Sequence, residues 1–580
     1  MKKSKGKTSH IISDLFLQMA AVNIVINMIQ PCNQLIDTIL TGKAYGAYAL
    51  QAYALFLPVN SLLIAVSCII SKGAQISCSH LTGRGEFEET HSQSGFAFLT
   101  GVIVSVIFAV LFILFSKQIA VLLGASPDIP NQIQDISGYL RAYALGIPAI
   151  FLLDLLMCLT QLEGKKKIVV CSSLCVLVVN AAGDLLNIFI FKKGLFGMAL
   201  ATSAANIVAT AVMYLYFRKR SDLFRLSLKD AKKKYLLNIL KNGLPGFTYY
   251  GSLVIRAAFL NMLIITRLDR SVLVSMLVFN HFATITDVLI GGCGDSVLLL
   301  GGVLFGEKDK KGAKQLVRFA SGTGAALLAA AAVITVIFAV PFSKLFLSRE
   351  DYIYAAAAAR ALRIAALYLV PDVLACVLKK YIQAIGSGLY TSIINILCNV
   401  VYVCCAAAIL TKLMGSDGLF LSFTVCYVLA LITNCIYVYF RADRKFGIPD
   451  GNILEYSIGT LAECAAASEN AYHDCGKMGV DHKKQYLISL FVEEMTKNIV
   501  EHGFQEGKNN SIVVRIMMPE DRISINIKDN CRHFDPKHYY DSVKKQEKAT
   551  TGFGIRMIME LSKSVVYTNS LNLNNLYIEL

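Results

Sequence analysis

The sequence predicts an α-helical polytopic membrane protein of two six-helix bundles, followed by a small C-terminal α/β two-layer sandwich. Of its 580 residues, 55% are hydrophobic and only 17% are charged, and the mean hydropathy is +0.55. A soluble protein of this length needs more polar residues to cover its surface. The apolar residues also form twelve runs long enough to cross a bilayer, and these runs stop after Phe440. The remainder reads as an ordinary soluble domain.

The twelve runs set the predicted transmembrane helices. They cover residues 11–40, 47–70, 96–115, 139–162, 168–191, 195–217, 244–266, 272–304, 319–340, 361–384, 389–410 and 419–440. Four lysines precede the first run, and Asn, Gln and Pro interrupt it, so we expect a retained helix rather than a cleaved signal. We therefore divide the chain into membrane halves 1–222 and 223–445 and a soluble domain 446–580.

The two halves of the membrane part repeat one six-helix unit. Similar residues recur at an offset near one half of the membrane part: Gly85-Glu86 with Gly306-Glu307, Pro148 with Pro371, Gln161 and Gly164 with Gln383 and Gly386, and Gly197 with Gly418. An even number of helices gives both halves the same orientation. Transporters built from such parallel repeats bind substrate between the halves and rock to alternate access. A duplicated receptor without transport is the alternative.

The distribution of Lys and Arg predicts the orientation. One set of loops, with both chain ends, holds Arg84, residues 165–167, 218–220, 232–234 and 308–314, and Arg441. The opposite loops carry fewer basic residues, so the first set of loops and both termini are expected on the cytoplasmic side. The membrane itself is expected to be the plasma (inner) membrane. Positive loops facing anionic lipid also account for the net charge of +16. Basic residues are not interleaved with aromatic ones, so we expect no nucleic-acid partner.

Polar side chains form stripes inside two of the predicted spans. A polar stripe cannot face lipid, so it should line a wet cavity or another polar helix. Oxygen ligands from Asp37, Asn180 and Asp184 suit Na⁺, or a proton shared by the carboxylates. The alternative is that Asp37 and Asp184 only touch the membrane surface near the span ends. The stripes are Asn23, Asn27, Gln30, Gln34 and Asp37 in the first span, and Asn180, Asp184 and Asn187 in the fifth. Asp154 is a single polar residue near the middle of the fourth span.

Residues 10–440 resemble the multidrug and toxic compound extrusion (MATE) family of transporters. The resemblance rests on Ile36-Asp37-Thr38 with Gly42, on residues 83–88, and on Asn180, Asp184, Gly197, Ala201 and Thr202. It implies an antiporter that exports small organic molecules, in which Asp37, Asn180, Asp184 and Thr202 hold the coupling Na⁺ or H⁺. Asn27, Gln30, Gln34 and Asp154 are then candidates for the substrate cavity. Flippases of lipid-linked sugars look similar, so they remain an alternative.

The soluble domain should contain two helices, a β-hairpin, a third helix and two more strands. The second helix is expected at about 483–503, and the hairpin strands alternate at Ile512, Val514 and Ile516 and at Ile523, Ile525 and Ile527. Gly552 should begin the third helix, with strands at 564–568 and 576–580. Helices on one face of a mixed sheet make the two-layer sandwich.

Three motifs in this domain point to phosphate chemistry. Glu494, Asn498 and His502 are spaced four apart, so on one helix they share a face. A carboxylate, an amide and an imidazole there could activate a hydroxyl and hold Mg²⁺. Asp529-Asn530 ends a strand, and the run 551–554 places Gly552 and Gly554 at a helix start, where backbone N–H groups can approach a phosphate. Each motif alone is weak, but their order is specific.

In that order the motifs resemble the Bergerat-fold ATPases, the histidine-kinase and gyrase type, and most of all the anti-sigma-factor serine kinases. The resemblance implies ATP and Mg²⁺ as cofactors, with Glu494 as general base, Asn498 as metal ligand and Asp529 as adenine reader. Gly552 and Gly554 belong to its phosphate loop. The family usually has Gly two residues after the adenine-reading Asp, where this chain has Cys531. A side chain there is expected to crowd the nucleotide.

Two functions compete at this stage. The first is export driven by an ion gradient and regulated by the ATP-binding domain. The second is signalling, in which the helix bundle senses a ligand and the terminal domain binds or phosphorylates a STAS-type or sigma-factor regulator. Serine/threonine kinase activity belongs to this second hypothesis. ATP should not power transport, because the sequence has no G-x-x-x-x-G-K-[ST] phosphate loop.

Overall fold

The computed structural model describes residues 7–125, 129, 131–220, 224, 234–269, 272–345, 354–446, 452–507, 510–518, 523–536, 538–540, 553–570 and 573–580. Within these residues, 11 helices are long and apolar enough to cross a membrane, and one bent pair of helices brings the number to 12. The predicted count of spans is therefore confirmed. The basic linker predicted between the halves, 218–234, lies mostly outside the described residues. The turn predicted at 519–521 lies wholly outside them.

The first half begins with one long helix that contains two spans. Gly46 has φ 75° and breaks this helix into spans Ile11–Gly46 and Leu55–Gly83. The fourth span, predicted as one helix, consists of two helices that meet at 43°. The helices are α1 (Lys7–Gly83), α2 (Phe87–Leu114), α3 (Ser116–Leu122), α4 (Gln132–Ala144), α5 (Ile147–Leu162), α6 (Lys166–Leu186) with a π-helical turn Asn187–Phe191, and α7 (Gly194–Arg220).

The second half repeats this arrangement. Its helices are α8 (Lys234–Arg267), α9 (Val272–Gly306), α10 (Lys310–Leu345), α11 (Ala355–Ala365), α12 (Leu369–Ala384), α13 (Gly388–Ile396), α14 (Val403–Met414), α15 (Ser416–Tyr437) and α16 (Asp443–Lys445). A short 3₁₀ turn joins α11 to α12, and a π-helical turn joins α13 to α14, so each of these pairs forms one span.

The repeat is visible in the backbone of the loops, with one correction to the predicted pairing. Gly164 and Gly386 have φ values of 74° and 76° at equivalent turns, as predicted. However, Gly85 (φ 75°) corresponds to Lys308 (φ 57°), because each lies two residues after the end of a long helix. The pairing of Gly85 with Gly306 was two residues out. The turn requires positive φ, which Gly supplies in one half and Lys in the other.

The two halves are in backbone contact where α1 and α9 end. A Cβ atom added to Gly306 would lie 2.3 Å from the carbonyl oxygen of His80 and 2.8 Å from Cα of Gly83. Nearby, Nε2 of His80 lies 2.5 Å from the carbonyl oxygen of Ala384 in the second half. We call this end of the bundle the domain-facing end, because the C-terminal domain packs against it. The small residues let the two backbones touch.

The C-terminal domain is a five-stranded sheet with helices packed on one face. The strands are β1 (Ile453–Ile458), β2 (Ile512–Met517), β3 (Ser524–Asp529), β4 (Ser564–Ser570) and β5 (Leu573–Glu579). The helices are α17 (Leu461–Lys477), α18 (His482–Asn498), extended by a π-helical turn Ile499–Gly503, and α19 (Phe553–Leu561). The predicted two-layer sandwich and the β2–β3 hairpin are confirmed.

Two details of the sheet differ from the prediction. The strand order is β1-β2-β3-β5-β4 and every neighbouring pair is antiparallel, so the expectation of a mixed sheet was wrong. Strands β3 and β4 do run parallel, but β5 inserts between them. Strand β1 was also missed, since the sequence reading placed a helix directly after the linker. Its six residues add an edge strand to β2.

The close approach of the two halves gives a stability test. Gly306→Ala should lower the free energy of unfolding by about 1–3 kcal/mol, because its methyl group would meet backbone atoms that cannot move aside. Thermal unfolding in detergent measures the effect. Gly322→Ala, in α10, is the matched control, because no atom lies within 4 Å of the added Cβ. Equal midpoints for the two variants would contradict this packing.

Candidate functional sites

A buried polar cluster joins α1 to α6 in the first half. Nδ2 of Asn180 lies 2.5 Å from Oδ1 of Asp37, 3.1 Å from Oδ1 of Asn33 and 3.4 Å from Oδ2 of Asp184. Asp37, Asn180 and Asp184 are all buried. The stripes predicted on two separate helices therefore meet, and the carboxylates lie inside the protein rather than at the membrane surface.

This cluster leaves oxygen atoms without partners. The carboxyl groups of Asp37 and Asp184 are close enough to hydrogen-bond each other. Among the described residues, Oδ1 of Asp184 and Oδ1 of Asn180 are buried and have no hydrogen-bond partner. Buried polar atoms are almost always paired, so an orphaned pair marks a place where a proton or cation fits. Oxygen donors of this kind suit Na⁺ or a shared proton.

The other predicted residues of the first half bond groups outside this cluster or are exposed. Thr202 donates to the carbonyl oxygen of Met198 in its own helix (3.3 Å). Oδ2 of Asp154 accepts from Ser67 (2.6 Å). The remaining cavity candidates divide: Asn27 bonds Asp295, while Gln30 and Gln34 have exposed side chains.

A second charged cluster crosses between the halves, and the sequence reading missed it. Asp295 in α9 lies 2.8 Å from Nζ of Lys380 in α12 and 3.9 Å from Nζ of Lys72 in α1. Asn23 of α1 donates to Ser296 of α9 (2.9 Å) close by. The available signal was that Asp295 and Lys380 are charged residues inside predicted apolar spans. Their pairing was not visible, because Lys380 comes from a different helix of the second half and Lys72 from the first half.

In the C-terminal domain, Asp529 ends β3 and is only 4% exposed. Its Oδ1 accepts from Nδ2 of Asn574 (2.8 Å) and from the backbone N–H of Cys531 (2.9 Å). Burial raises the pKa of Asp529, and these two bonds oppose the rise. Asn574, on β5, was not identified from the sequence, because only the sheet order brings it beside Asp529.

Glu494 and Gly554 are in direct contact. A Cβ atom at Gly554 would lie 2.1 Å from Oε2 of Glu494, so a side chain at this position would have to displace the carboxylate. Glu494 therefore lies at the N-terminal turn of α19, where backbone N–H groups favour an anionic ligand. Gly552, the other predicted glycine of the phosphate loop, lies outside the described residues.

The helix that carries Glu494 changes geometry before it reaches His502. Helix α18 ends at Asn498 and a π-helical turn follows, so the four-residue step no longer sets the direction of His502. Glu494 and Asn498 are half-buried and His502 is exposed. Roles for Asn498 and His502 in binding remain predictions.

Cys531 fits beside a glycine. Its side chain is 9% exposed, and a Cβ atom at Gly503 would lie 3.3 Å from Cβ of Cys531. Burial and the neighbouring Asp529 carboxylate raise the pKa of the thiol. The absence of a side chain at Gly503 thus provides the space that Cys531 occupies at the edge of the site.

Comparison with known protein families agrees with both sequence resemblances. The family pattern described as MatE matches residues 23–186 and 253–407, more than half of the chain. The pattern described as "Histidine kinase-like ATPase domain" matches residues 461–579. The chain thus carries a two-part MATE transporter domain and a C-terminal ATPase-like domain, as the sequence predicted.

Curated relatives include proteins named "Multidrug export protein MepA". The one from Staphylococcus saprophyticus is 24% identical over 405 residues, which cover 70% of this chain and 88% of that protein. One from Staphylococcus aureus is 29% identical over 208 residues, 36% of this chain and 46% of the relative. The chain thus aligns with less than half of the S. aureus protein.

Solved structures with the same fold are transporters of the MATE family. One is described as the "Outward-facing conformation of a multidrug resistance MATE family transporter of the MOP superfamily", with a TM-score of 0.71, 19% identity, and coverage of 77% of this chain and 100% of that one. The Vibrio cholerae transporter VcmN in its bent form gives a TM-score of 0.70 at 18% identity, covering 76% and 99%. At these identities the likeness is one of fold.

The raised pKa of Asp529 predicts a pH-dependent effect of removing its charge. In Asp529→Asn, residues 452–580 expressed alone should match the parent in stability at acidic pH, where the parent side chain is neutral. As the pH rises through the raised pKa, the parent should lose stability relative to the variant, because it must bury a charge.

Thermal unfolding between acidic and neutral pH measures this difference. Glu560→Gln, an exposed carboxylate on α19, is the control and should show no such trend. A stability gap that stayed constant with pH would contradict a buried, raised-pKa carboxyl at 529.

Proposed function

The chain belongs to the MatE family, and we propose that it exports small organic molecules in exchange for a cation, Na⁺ or H⁺, by alternating access between its two halves. The observation that carries this proposal is the buried pair Asp37–Asp184 with orphaned oxygen atoms beside it. The curated relatives named as multidrug exporters support the substrate class. We place the protein in the plasma membrane with both termini in the cytoplasm.

The geometry of the cluster suits coupling. Two carboxyl groups at hydrogen-bonding distance repel each other when both are ionised, so a proton or a cation between them is strongly favoured. Asn180 donates to both carboxylates, so its side chain would shift when an ion binds or leaves. Because Asp37 lies on α1 and Asp184 on α6, binding and release would change how these helices pack. That is the differential contact an ion needs in order to shift a conformational equilibrium.

Neutralising either carboxylate should abolish ion-driven export. Asp37→Asn and Asp184→Asn each remove one of the two charges that would hold the ion, so substrate flux in proteoliposomes should fall at least about tenfold under an imposed gradient. Asp14→Asn, an exposed carboxylate on the same α1, is the matched control and should keep parent flux. Full gradient-driven flux in both test variants would refute this coupling site.

The ATPase-like domain is proposed to bind Mg·ATP and to regulate transport rather than to drive it. Asp529, held by Asn574 and by the backbone of Cys531, would accept the adenine amino group. Gly554 and the start of α19 would face the phosphates, and Asn498 would bind the metal. Glu494 beside Gly554 would act as the general base of any phosphoryl transfer.

Three substitutions separate these roles. Asp529→Asn should abolish ATP binding, because an amide that presents N–H groups to the adenine amino group cannot accept its hydrogen bond. Asn498→Ala should weaken Mg·ATP binding several-fold. Glu494→Ala should leave binding intact and remove phosphoryl transfer, because a base acts on the attacking group.

Calorimetry with Mg·ATP measures the binding of each variant. Lys477→Ala, on an exposed face of α17, serves as the control. A parent domain that binds no nucleotide would leave it as a protein-docking module and exclude kinase activity.

A further inference from the structure

The sheet of the C-terminal domain has an outer face that points away from its helices. Side chains alternate along each strand, so Ile512, Val514 and Ile516 pack under the helices. Their neighbours point the other way and meet the membrane part. This outer face, which we call the docking face, includes Val513 and Arg515 of β2, Asn526 and Lys528 of β3, and Leu573 and Tyr577 of β5.

The docking face binds the second half through two ion pairs. Nζ of Lys528 lies 2.6 Å from Oε2 of Glu307, and a guanidinium nitrogen of Arg515 lies 3.7 Å from Oδ1 of Asp309. The side chain of Glu307 is only 2% exposed and that of Lys528 17%. Arg515 also donates to the carbonyl oxygens of Glu307 and Lys308 (3.2 and 3.3 Å). A cation therefore caps the C-terminal end of α9, where the helix dipole favours it.

The same face binds the first half at the equivalent helix end. The hydroxyl of Tyr577 donates to the carbonyl oxygen of Gly83, the last residue of α1 (3.3 Å). The ring of Tyr577 packs edge-on against Phe87, and Gly85 lies under the ring. Ile11, near the start of α1, packs against Val513 and Leu573. One rigid sheet thus holds the matching ends of α1 and α9.

This arrangement bears directly on alternating access. Gly83 and Gly306 end equivalent helices and touch through their backbones. Opening the membrane part at the domain-facing end must separate them. A sheet bound to both cannot stay bound to both when they separate, because its strands are fixed by hydrogen bonds.

We propose that the docking face is a latch, which holds the domain-facing end of the transporter closed while the domain is docked. Release of the domain then permits the halves to separate there and the cycle to proceed. This inference rests on the proposed transport function, because it names how the C-terminal domain regulates it. The partner of the docking face is the pair of loops 83–87 and 307–309 of the same chain.

Reversing one ion pair in the full-length protein tests the latch. Lys528→Glu places two carboxylates together at a nearly buried contact and should release the domain. Hydrogen exchange should then rise in peptides covering 76–87 and 299–309. Ion-driven efflux in proteoliposomes should increase roughly tenfold, the effect of about 1.4 kcal/mol. The double variant Lys528→Glu/Glu307→Lys restores the pair with exchanged charges and should return both readouts toward the parent.

Two further variants guard against misfolding and unspecific charge effects. Lys477→Glu makes the same charge change on α17, which lies on the opposite layer of the domain and pairs with Asp474, and it should change neither readout. Tyr577→Phe removes only the hydroxyl bonded to Gly83 and keeps the ring against Phe87. It should raise exchange at 76–87 and efflux in the same direction by a smaller factor.

The possible results distinguish a failure of the latch proposal from a failure of the transport proposal. If Lys528→Glu exposes the two loops while the ends of α1 and α9 stay protected and efflux stays at the parent rate, the latch is wrong. It is equally wrong if the charge-exchanged double variant behaves like Lys528→Glu. If the parent shows no ion-driven efflux at all, the transport proposal fails, while the exchange data still decide whether docking holds the helix ends together.

Discussion

A polar or charged side chain inside a bilayer must find a partner within the protein, and this constraint organises the membrane part. It brings Asn180 between Asp37 and Asp184, and Asp295 between Lys72 and Lys380. The two clusters differ in how completely they are satisfied. Asp295 has two cations beside it, whereas the Asp37–Asp184 cluster keeps orphaned oxygens. The Asp295 cluster therefore suits a fixed contact between halves, and the Asp37–Asp184 cluster suits a site that an ion enters and leaves.

Much of the fold could be predicted because bilayer thickness sets the length of an apolar helix. The twelve spans, the duplication and the β2–β3 hairpin follow from local patterns. The register of the repeat at Gly85 did not follow, because two different residues, Gly85 and Lys308, adopt the same positive φ. The antiparallel sheet was missed for a similar reason. Strand direction follows from which strands are neighbours, and β5 inserts between β3 and β4.

The candidate sites also divide into residues that local sequence patterns indicate and residues that only tertiary packing brings together. Glu494 and Asn498 could be proposed as site residues because both lie on one helix at a fixed spacing, and Asp37 and Asp184 because carboxylates are rare inside spans. Asn574 could not, since its bond to Asp529 depends on the pairing of β5 with β3. Asp295 showed as a charge within a predicted span and Lys72 lies just after the end of one, but their contact joins two halves of the bundle. Local signals identify residues, and only tertiary packing pairs them.

Strand β3 links the two proposed activities of the C-terminal domain. Consecutive residues of a strand point to opposite faces of the sheet, so Lys528 meets Glu307 while Asp529 faces the helix side, where we propose that the nucleotide binds. Strand β5 repeats this division, with Asn574 bonded to Asp529 and Tyr577 bonded to Gly83. Ligand binding that displaced either strand would therefore act on the docking face through the shared backbone. The sheet thus connects the proposed nucleotide site directly to the helix ends that alternating access would have to separate.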